Sequence, residues 1–228
     1  MKQIGEQMNK NLWLVLYEIQ RKIMKKIILH LCADIGSDSR FYDLSDDYEV
    51  IRIGEKIGVE NYTPPQNVHG IIANPPCTDF STARANGKAR DVAAGMFLVN
   101  ECLRIIRECK PVWYVIENPA TGALREILGK PDAVYQPWQY GSPWTKKTAL
   151  WGKFKMPEPL FKTWEHVPKI PELYVRPTRP KPSLAFLHVS AKKYIREMDW
   201  ASDRLNDDAA LRSWCSQGFA EQFFLVNK

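Results

Sequence analysis

Apolar residues fall into short blocks along the chain, and the spacing inside each block predicts its structure. Over residues 1–25, Ile4, Met8, Leu12, Val15, Leu16, Ile19 and Ile23 recur near helical spacing among Lys2, Lys10, Arg21 and Lys22, which predicts an amphipathic amino-terminal extension. Its apolar stretch Leu12–Tyr17 is short for the core of a secretory signal, and no small-residue cleavage site follows it. From Ile27 the period shortens. Ile27–Cys32, Glu49–Ile53 and Gly70–Ala73 read as strands, and Val112–Ile116 is a continuous apolar run of the kind buried on both faces of a parallel sheet. Between the last two, Ala94, Phe97, Leu98, Cys102, Ile105 and Ile106 share one helical face, and Pro111 marks the stop. Strands alternating with helices predict the α/β class, a doubly wound, Rossmann-like sheet with helices on both faces, over residues 26–154. Residues 197–228, with Leu211, Trp214, Phe219, Phe223 and Phe224 available to pack, predict a helical return to that core.

The stretch between these parts breaks the pattern. Seven of the 16 prolines lie between residues 152 and 196, interleaved with Phe161, Trp164 and Tyr174, which predicts a small, loop-rich lobe or flap over residues 155–196. Charge separates the same regions. The net charge is +6, yet residues 27–151 hold 13 basic and 15 acidic side chains, while residues 152–196 hold 10 basic and 3 acidic. A basic segment beside a near-neutral body is an electrostatic footprint for a polyanion. With 45% apolar and 25% charged residues the composition is that of an ordinary globular chain, and no apolar run approaches the roughly 18 residues of a membrane span. The five cysteines are odd in number and form no CxxC pair, so neither a disulfide framework nor a zinc site is expected, and a reducing, cytoplasmic setting is.

Ligands of doubly wound sheets bind beyond the carboxyl ends of the strands. Two strands end there in unusual polar residues: Ala73 runs into Asn74-Pro75-Pro76-Cys77, and Ile116 into Glu117-Asn118-Pro119. The two prolines fix the backbone before Cys77 and aim its thiol at the crevice, where a thiolate can act as nucleophile. Cys32, Cys102, Cys109 and Cys215 have no such setting and read as structural. Glu117 closes an apolar strand, so partial desolvation raises its pKa and suits it to donate a proton near neutral pH. A nucleophile and an acid on neighbouring strand ends would face one substrate.

Pro75-Pro76-Cys77 followed by Phe80-Ser81, then Glu117-Asn118-Pro119, then Tyr140-Gly141-Ser142-Pro143-Trp144-Thr145-Lys146-Lys147-Thr148 stand in the order and approximate spacing of the DNA cytosine-5 methyltransferase family. The resemblance covers roughly residues 27–154, with an echo at Arg212 and Gln217-Gly218-Phe219. It implies that Cys77 adds to carbon 6 of cytosine, that Glu117 donates to ring nitrogen 3, and that Asn118 supports the loop. Two family arginines correspond to Lys146 and Thr148; lysine keeps the charge without the bidentate fork, and threonine keeps neither. The methyl donor implied is S-adenosyl-L-methionine. Cys32-Ala33-Asp34-Ile35-Gly36 stands where the family has Phe-x-Gly-x-Gly, so Asp34, Ile35 and Gly36 would line its site, with Glu60 on the adenine amino group and Asn74 and Pro75 beside them. A ribose carboxylate is expected about 20 residues after that loop, where only Glu55 stands.

The partner implied is double-stranded DNA with the target base flipped out of the stack. Residues 152–196 occupy the place of a much larger target-recognition region, as in compact phage or prophage versions, which implies limited sequence specificity or readout supplied by a partner or a second copy in a homodimer. Three other readings stay open. Asn74-Pro75-Pro76 also resembles the motif of amino-methyltransferases, although that motif ends in an aromatic residue where Cys77 stands; the chain could be a catalytically silent nucleic-acid-binding relative; and RNA or a free nucleotide could be the substrate.

Overall fold

The computed structural model describes residues 25–33, 35–80 and 91–228. All but the last residue of the expected amino-terminal extension, together with Asp34 and Ser81, lie outside these residues. Six strands form one sheet: β1 (Lys26–Leu31), β2 (Tyr48–Ile53), β3 (Val68–Ala73), β4 (Trp113–Pro119), β5 (Ala133–Tyr135) and β6 (Thr148–Lys153), in the order β2-β1-β3-β4-β6-β5. β1 pairs in parallel with β2 and with β3, and β3 with β4. Strand order therefore reverses between β1 and β3, which opens a crevice beyond their carboxyl ends.

β6 runs antiparallel to β4 and to β5, so the sheet is mixed rather than purely parallel. That direction matters for chemistry. Thr148 pairs with Pro119, which brings the amino end of β6 to the edge where β1, β3 and β4 finish. The α/β expectation holds, but β4 is longer than its apolar run suggests. Glu117, Asn118 and Pro119 are its last three residues, paired with Leu150, Ala149 and Thr148, and not the start of a loop.

The helices are α1 (Arg40–Asp43), α2 (Val92–Cys109), α3 (Leu124–Leu128), α4 (Asp208–Ser213) and α5 (Gln217–Val226). Successive strand residues face opposite sides, and each side has its own core. Leu29, Leu31, Ile71 and Ile116 pack with Val99, Cys102 and Ile105 of α2, while Ile28, Ile72, Trp113 and Val115 pack with Phe219 and Phe223 of α5. The Asp91 side chain accepts the amide of Ala94 at 2.9 Å to start α2, and Lys110 in left-handed conformation ends it just before Pro111.

The buried face of α2 differs from the expected one. Gly95, Val99, Cys102, Ile105 and Ile106 face inward, whereas Ala94 is exposed and Phe97 is 53% exposed. The reason is close approach: a Cβ on Gly95 would stand 2.9 Å from Cζ of the fully buried Phe80, so the glycine-bearing face is the one that can dock.

After β6 the chain runs through 3-10 turns at Trp164–His166, Leu184–Phe186, Val189–Tyr194 and Arg196–Ala201. Leu173, Leu184, Leu187, Ile195, Met198 and Leu205 from this lobe pack on Trp144, Leu211 and Trp214 as a third core. Among the described residues no helix is long and apolar enough to cross a membrane.

Candidate active site

Four chain segments meet at the crevice edge of the sheet. β3 delivers Asn74 to Cys77, β4 delivers Glu117 and Asn118, the turn after β1 delivers Asp38, and the antiparallel entry to β6 delivers Lys146. Cys77 is exposed. Its loop is held from both sides: the Asn118 amide, buried in β4, donates to the carbonyl of Pro75 at 2.9 Å, and the amide of Phe80 donates to the carbonyl of Cys77 at 3.0 Å. Phe80 is then anchored by its own carbonyl, which accepts the amide of Ala123 at 2.8 Å. Asn118 thus ties the loop that carries Cys77 to the neighbouring strand.

Glu117 keeps only 15% of its side chain exposed and stands 3.7 Å from Nζ of Lys146. Burial raises its pKa; the Lys146 ammonium opposes that, the Asp38 carboxylate adds to it, and the Asn74 hydrogen bond pulls it down again, with the net effect upward. Burial alone would lower the pKa of Lys146, but Glu117, Asp38, Cys215 and Cys77 outweigh it and the net shift is upward. Lys146 is therefore a charged ammonium facing both the acid and the thiol. It is aimed by its remaining contacts, since Nζ donates to the carbonyls of Trp214 at 3.2 Å and Ser213 at 3.4 Å. Thr148 is fully buried, and its hydroxyl donates to the Lys146 carbonyl at 2.9 Å, shaping that turn without bringing charge.

A hydrogen-bond chain runs under these residues. The Oδ1 of Asn74 lies 2.9 Å from Nε2 of the buried His30. An amide oxygen only accepts, so Nε2 carries the proton, and Nδ1 accepts from the Ser39 hydroxyl at 2.9 Å. The opposite amide orientation would turn oxygen toward two carboxylates. In the orientation present, Nδ2 of Asn74 reaches Oε2 of Glu117 and Oδ1 of Asp38, each at 3.4 Å. Burial lowers the pKa of His30, with Asp38 and the Asn74 hydrogen bond acting the other way, so the ring is neutral. Asp38 and Glu117 also line a cavity of about 20 Å³ against Phe219 and Phe223, room for one water molecule.

A second buried carboxylate, Glu197, knots the lobe to this edge. It accepts the indole N–H of Trp214 at 2.8 Å and the hydroxyl of Ser142 at 2.9 Å. The Gln217-Gly218-Phe219 turn closes the same region. A Cβ on Gly218 would lie 1.9 Å from the carbonyl oxygen of Tyr140, so only glycine fits there, and Phe219 stacks on Tyr135 at 3.8 Å between centroids. Arg212, by contrast, stays within α4 and pairs with Asp208 at 3.6 Å.

The β1–β2 side of the crevice is more open. Gly36 has a φ of +81°, and a Cβ there would lie 2.5 Å from Nε of Arg52, whose guanidinium pairs with Asp43 at 2.9 Å. Ile35 is buried in the third core, so its side chain turns away from the crevice and only its backbone remains for a ligand. Glu55 and Glu60 are both exposed, just beyond β2, and the carboxylate of Glu60 lies over Gly58. Pro75 is buried, and the Asn74 side chain is taken up by His30, Asp38 and Glu117. Asp34 lies outside the described residues.

Residues 43–121 match the family model of C-5 cytosine-specific DNA methylases, about a third of the chain, and the match spans Asn74–Cys77 and Glu117–Asn118. Over these residues the chain is similar to the C-5 cytosine-specific DNA methylase family. The match supports DNA cytosine-5 methyltransferase activity, and the methyl donor of these enzymes is S-adenosylmethionine. No curated protein matches the chain. The residues of the β1–β2 edge fit such a donor: two exposed carboxylates stand beyond β2, and Nε of Arg52 is a buried donor without an acceptor among the described residues, beside Gly36.

Reading the sequence missed His30, Asp38 and Glu197. A histidine inside the apolar strand Ile27–Leu31 is a signal that a polar partner must be buried with it. Asp38 and Glu197 carry no comparable local signal, because their partners lie on segments distant in the chain.

Proposed function

We propose that the chain methylates carbon 5 of cytosine in double-stranded DNA through a covalent adduct with Cys77, the target base being turned out of the duplex. The observation that carries this reading is the exposed Cys77 and the buried, Lys146-paired Glu117 at adjoining strand ends. The Cys77 thiolate attacks carbon 6, and the displaced electron density reaches nitrogen 3, where protonated Glu117 donates. Lys146 attracts the thiolate before addition and the Glu117 carboxylate after donation. Carbon 5, now an enamine carbon, takes the methyl group. Water removes the carbon 5 proton, the Cys77 sulfur–carbon 6 bond breaks, and nitrogen 3 returns its proton to Glu117, so thiolate and acid are both restored.

S-adenosylmethionine, when bound, supplies the electrophilic methyl group. Asp34, Ile35 and Gly36 would hold it from the turn after β1, Ile35 through its backbone, with Glu60 toward the base and Asn74 and Pro75 closing the side nearest Cys77. The DNA strand would run across the basic lobe, where Lys181 lies 4.9 Å from the Trp138 ring, Lys169 lies 4.4 Å from Trp164, and Arg176 lies 4.5 Å from Phe186. Cations beside aromatic faces suit phosphates and unstacked bases more than base-edge readout. Sequence choice would then come from a partner protein or a second copy of the chain.

The test is the identity of the product. DNA methylated with isotope-labelled donor and hydrolysed to nucleosides should contain labelled 5-methylcytosine, and Cys77→Ser should yield none. Label on the exocyclic amine, surviving in Cys77→Ser, would instead assign Asn74-Pro75-Pro76 to amino-group methylation.

A further inference from the structure

We propose that Asp38 is a positioning residue of this reaction: its carboxylate, bridged to that of Glu117 by the Asn74 amide, keeps Glu117 protonated and fixed at the crevice. The inference rests on the reading of Glu117 as the proton donor. Asp38 lies in the turn between β1 and α1, on the opposite side of Asn74 from β4. The two hydrogens of one amide group are divided between the carboxylates, at 3.4 Å each, and His30 fixes that amide by donating to its oxygen at 2.9 Å. Both carboxylates also face the same small cavity.

The Asn74 hydrogen bond favours the ionised Glu117 carboxylate, but the like charge of Asp38 held beyond the same amide opposes it and favours the protonated acid. Burial is the largest influence that keeps Glu117 protonated, and the charged groups facing it act on either side of that. Lys146 approaches from the entry to β6 and favours the ionised form, while Asp38 approaches from the turn after β1 and favours the protonated one. Tyr135 and Cys215 lie behind, paired at 3.8 Å, and burial raises the pKa of both, so they bring no charge. Cys77 acts on Lys146 from the crevice side. Without Asp38, burial alone would oppose Lys146 and the Asn74 hydrogen bond, and Glu117 would ionise at lower pH.

The experiment is the pH dependence of kcat on DNA for wild type, Asp38→Asn, Asp38→Glu and Glu117→Gln. Wild-type kcat should fall on the alkaline side as Glu117 ionises. Asp38→Asn should move that limb down by roughly one pH unit, the effect of removing one near carboxylate, with KM for DNA unchanged. Asp38→Glu should restore most of the shift, which a merely structural role for the turn would not produce. An alkaline limb in Asp38→Asn that overlays wild type overturns the proposal. Full kcat in Glu117→Gln would overturn the reading of the site itself, so the two failures are distinct. If Asp38→Asn melts below the assay temperature, the carbon-13 titration of the Glu117 carboxyl in wild type decides: a two-step curve supports coupling to a second carboxylate, and a single step overturns it.

Discussion

The two halves of the crevice edge are built to different standards. On the side of β3, β4 and β6, each polar side chain is fixed by another: Ser39 holds His30, His30 holds Asn74, Asn74 spans Asp38 and Glu117, and Lys146 is tied to Glu117 and to the backbone of residues 213 and 214. On the side of β1 and β2, Glu55 and Glu60 are exposed, and Arg52 lies over Gly36. The difference matches the chemistry proposed for each side. Stabilising charge that develops on a reacting ring needs donors locked in place beforehand, whereas holding a large cofactor spreads its binding energy over several replaceable contacts. Departures from the family pattern fall on both sides, at Asp34 on one and at Lys146 and Thr148 on the other, while Cys77 and Glu117 keep the residue types of the pattern.

That contrast can be broken experimentally, and the largest effect belongs to the ordered side. Glu117→Gln removes the proposed proton donor and should lower kcat by about 10²–10⁴-fold, the usual worth of a positioned acid, while leaving the affinity for S-adenosylmethionine unchanged by calorimetry. The sign of its pH dependence is set by its raised pKa: wild-type activity is present while Glu117 is protonated and is lost as pH rises through that pKa. A fall in donor affinity comparable to the fall in kcat would show that the two sides are not separate.

Gly218→Ala tests how far the ordered side depends on closure by the carboxyl-terminal segment. The added methyl would overlap the Tyr140 carbonyl, now 1.9 Å from where it would sit, and should cost about 3 kcal/mol, the upper end for overpacking, read as a lower midpoint in urea unfolding. A variant of unchanged stability would show that the close contact relaxes freely. The smallest effect is expected on the open side. Glu60→Gln should weaken S-adenosylmethionine binding about two- to tenfold, the value of one exposed hydrogen bond, with kcat at saturating donor unchanged. A loss of a hundredfold or more would mean that the donor side is as tightly specified as the other.

Much of the molecule was legible in the sequence because the signal was local. The four parallel strands, the long helix and the polar residues at the ends of β3 and β4 stand in apolar runs bounded by Asn, Pro and Gly, and those ends single out Cys77 and Glu117 as candidates. What was not legible depends on contacts between distant segments. β6 is a short apolar run whose antiparallel direction, and hence the delivery of Lys146, is set by pairing with β4. The inward face of α2 keeps the expected Cys102, Ile105 and Ile106 but takes Gly95 and Val99 in place of Ala94 and Phe97, because Gly95 fits closely on Phe80, a contact between distant segments. Asp38 and Glu197 carry no local signal, since nothing near them in the chain announces Asn74, Ser142 or Trp214.

The central claim is that Cys77 bonds to carbon 6 of the target cytosine, and trapping that bond tests it most directly. DNA carrying 5-fluorocytosine blocks the last step, because fluorine cannot leave carbon 5 as the proton does. With S-adenosylmethionine present, the protein should form a denaturation-resistant adduct whose mass equals chain plus methylated oligonucleotide, mapped by peptide sequencing to Cys77 and absent in Cys77→Ser. An adduct on another residue, or methyl transfer to ordinary DNA with no adduct on the fluorinated one, would contradict the account.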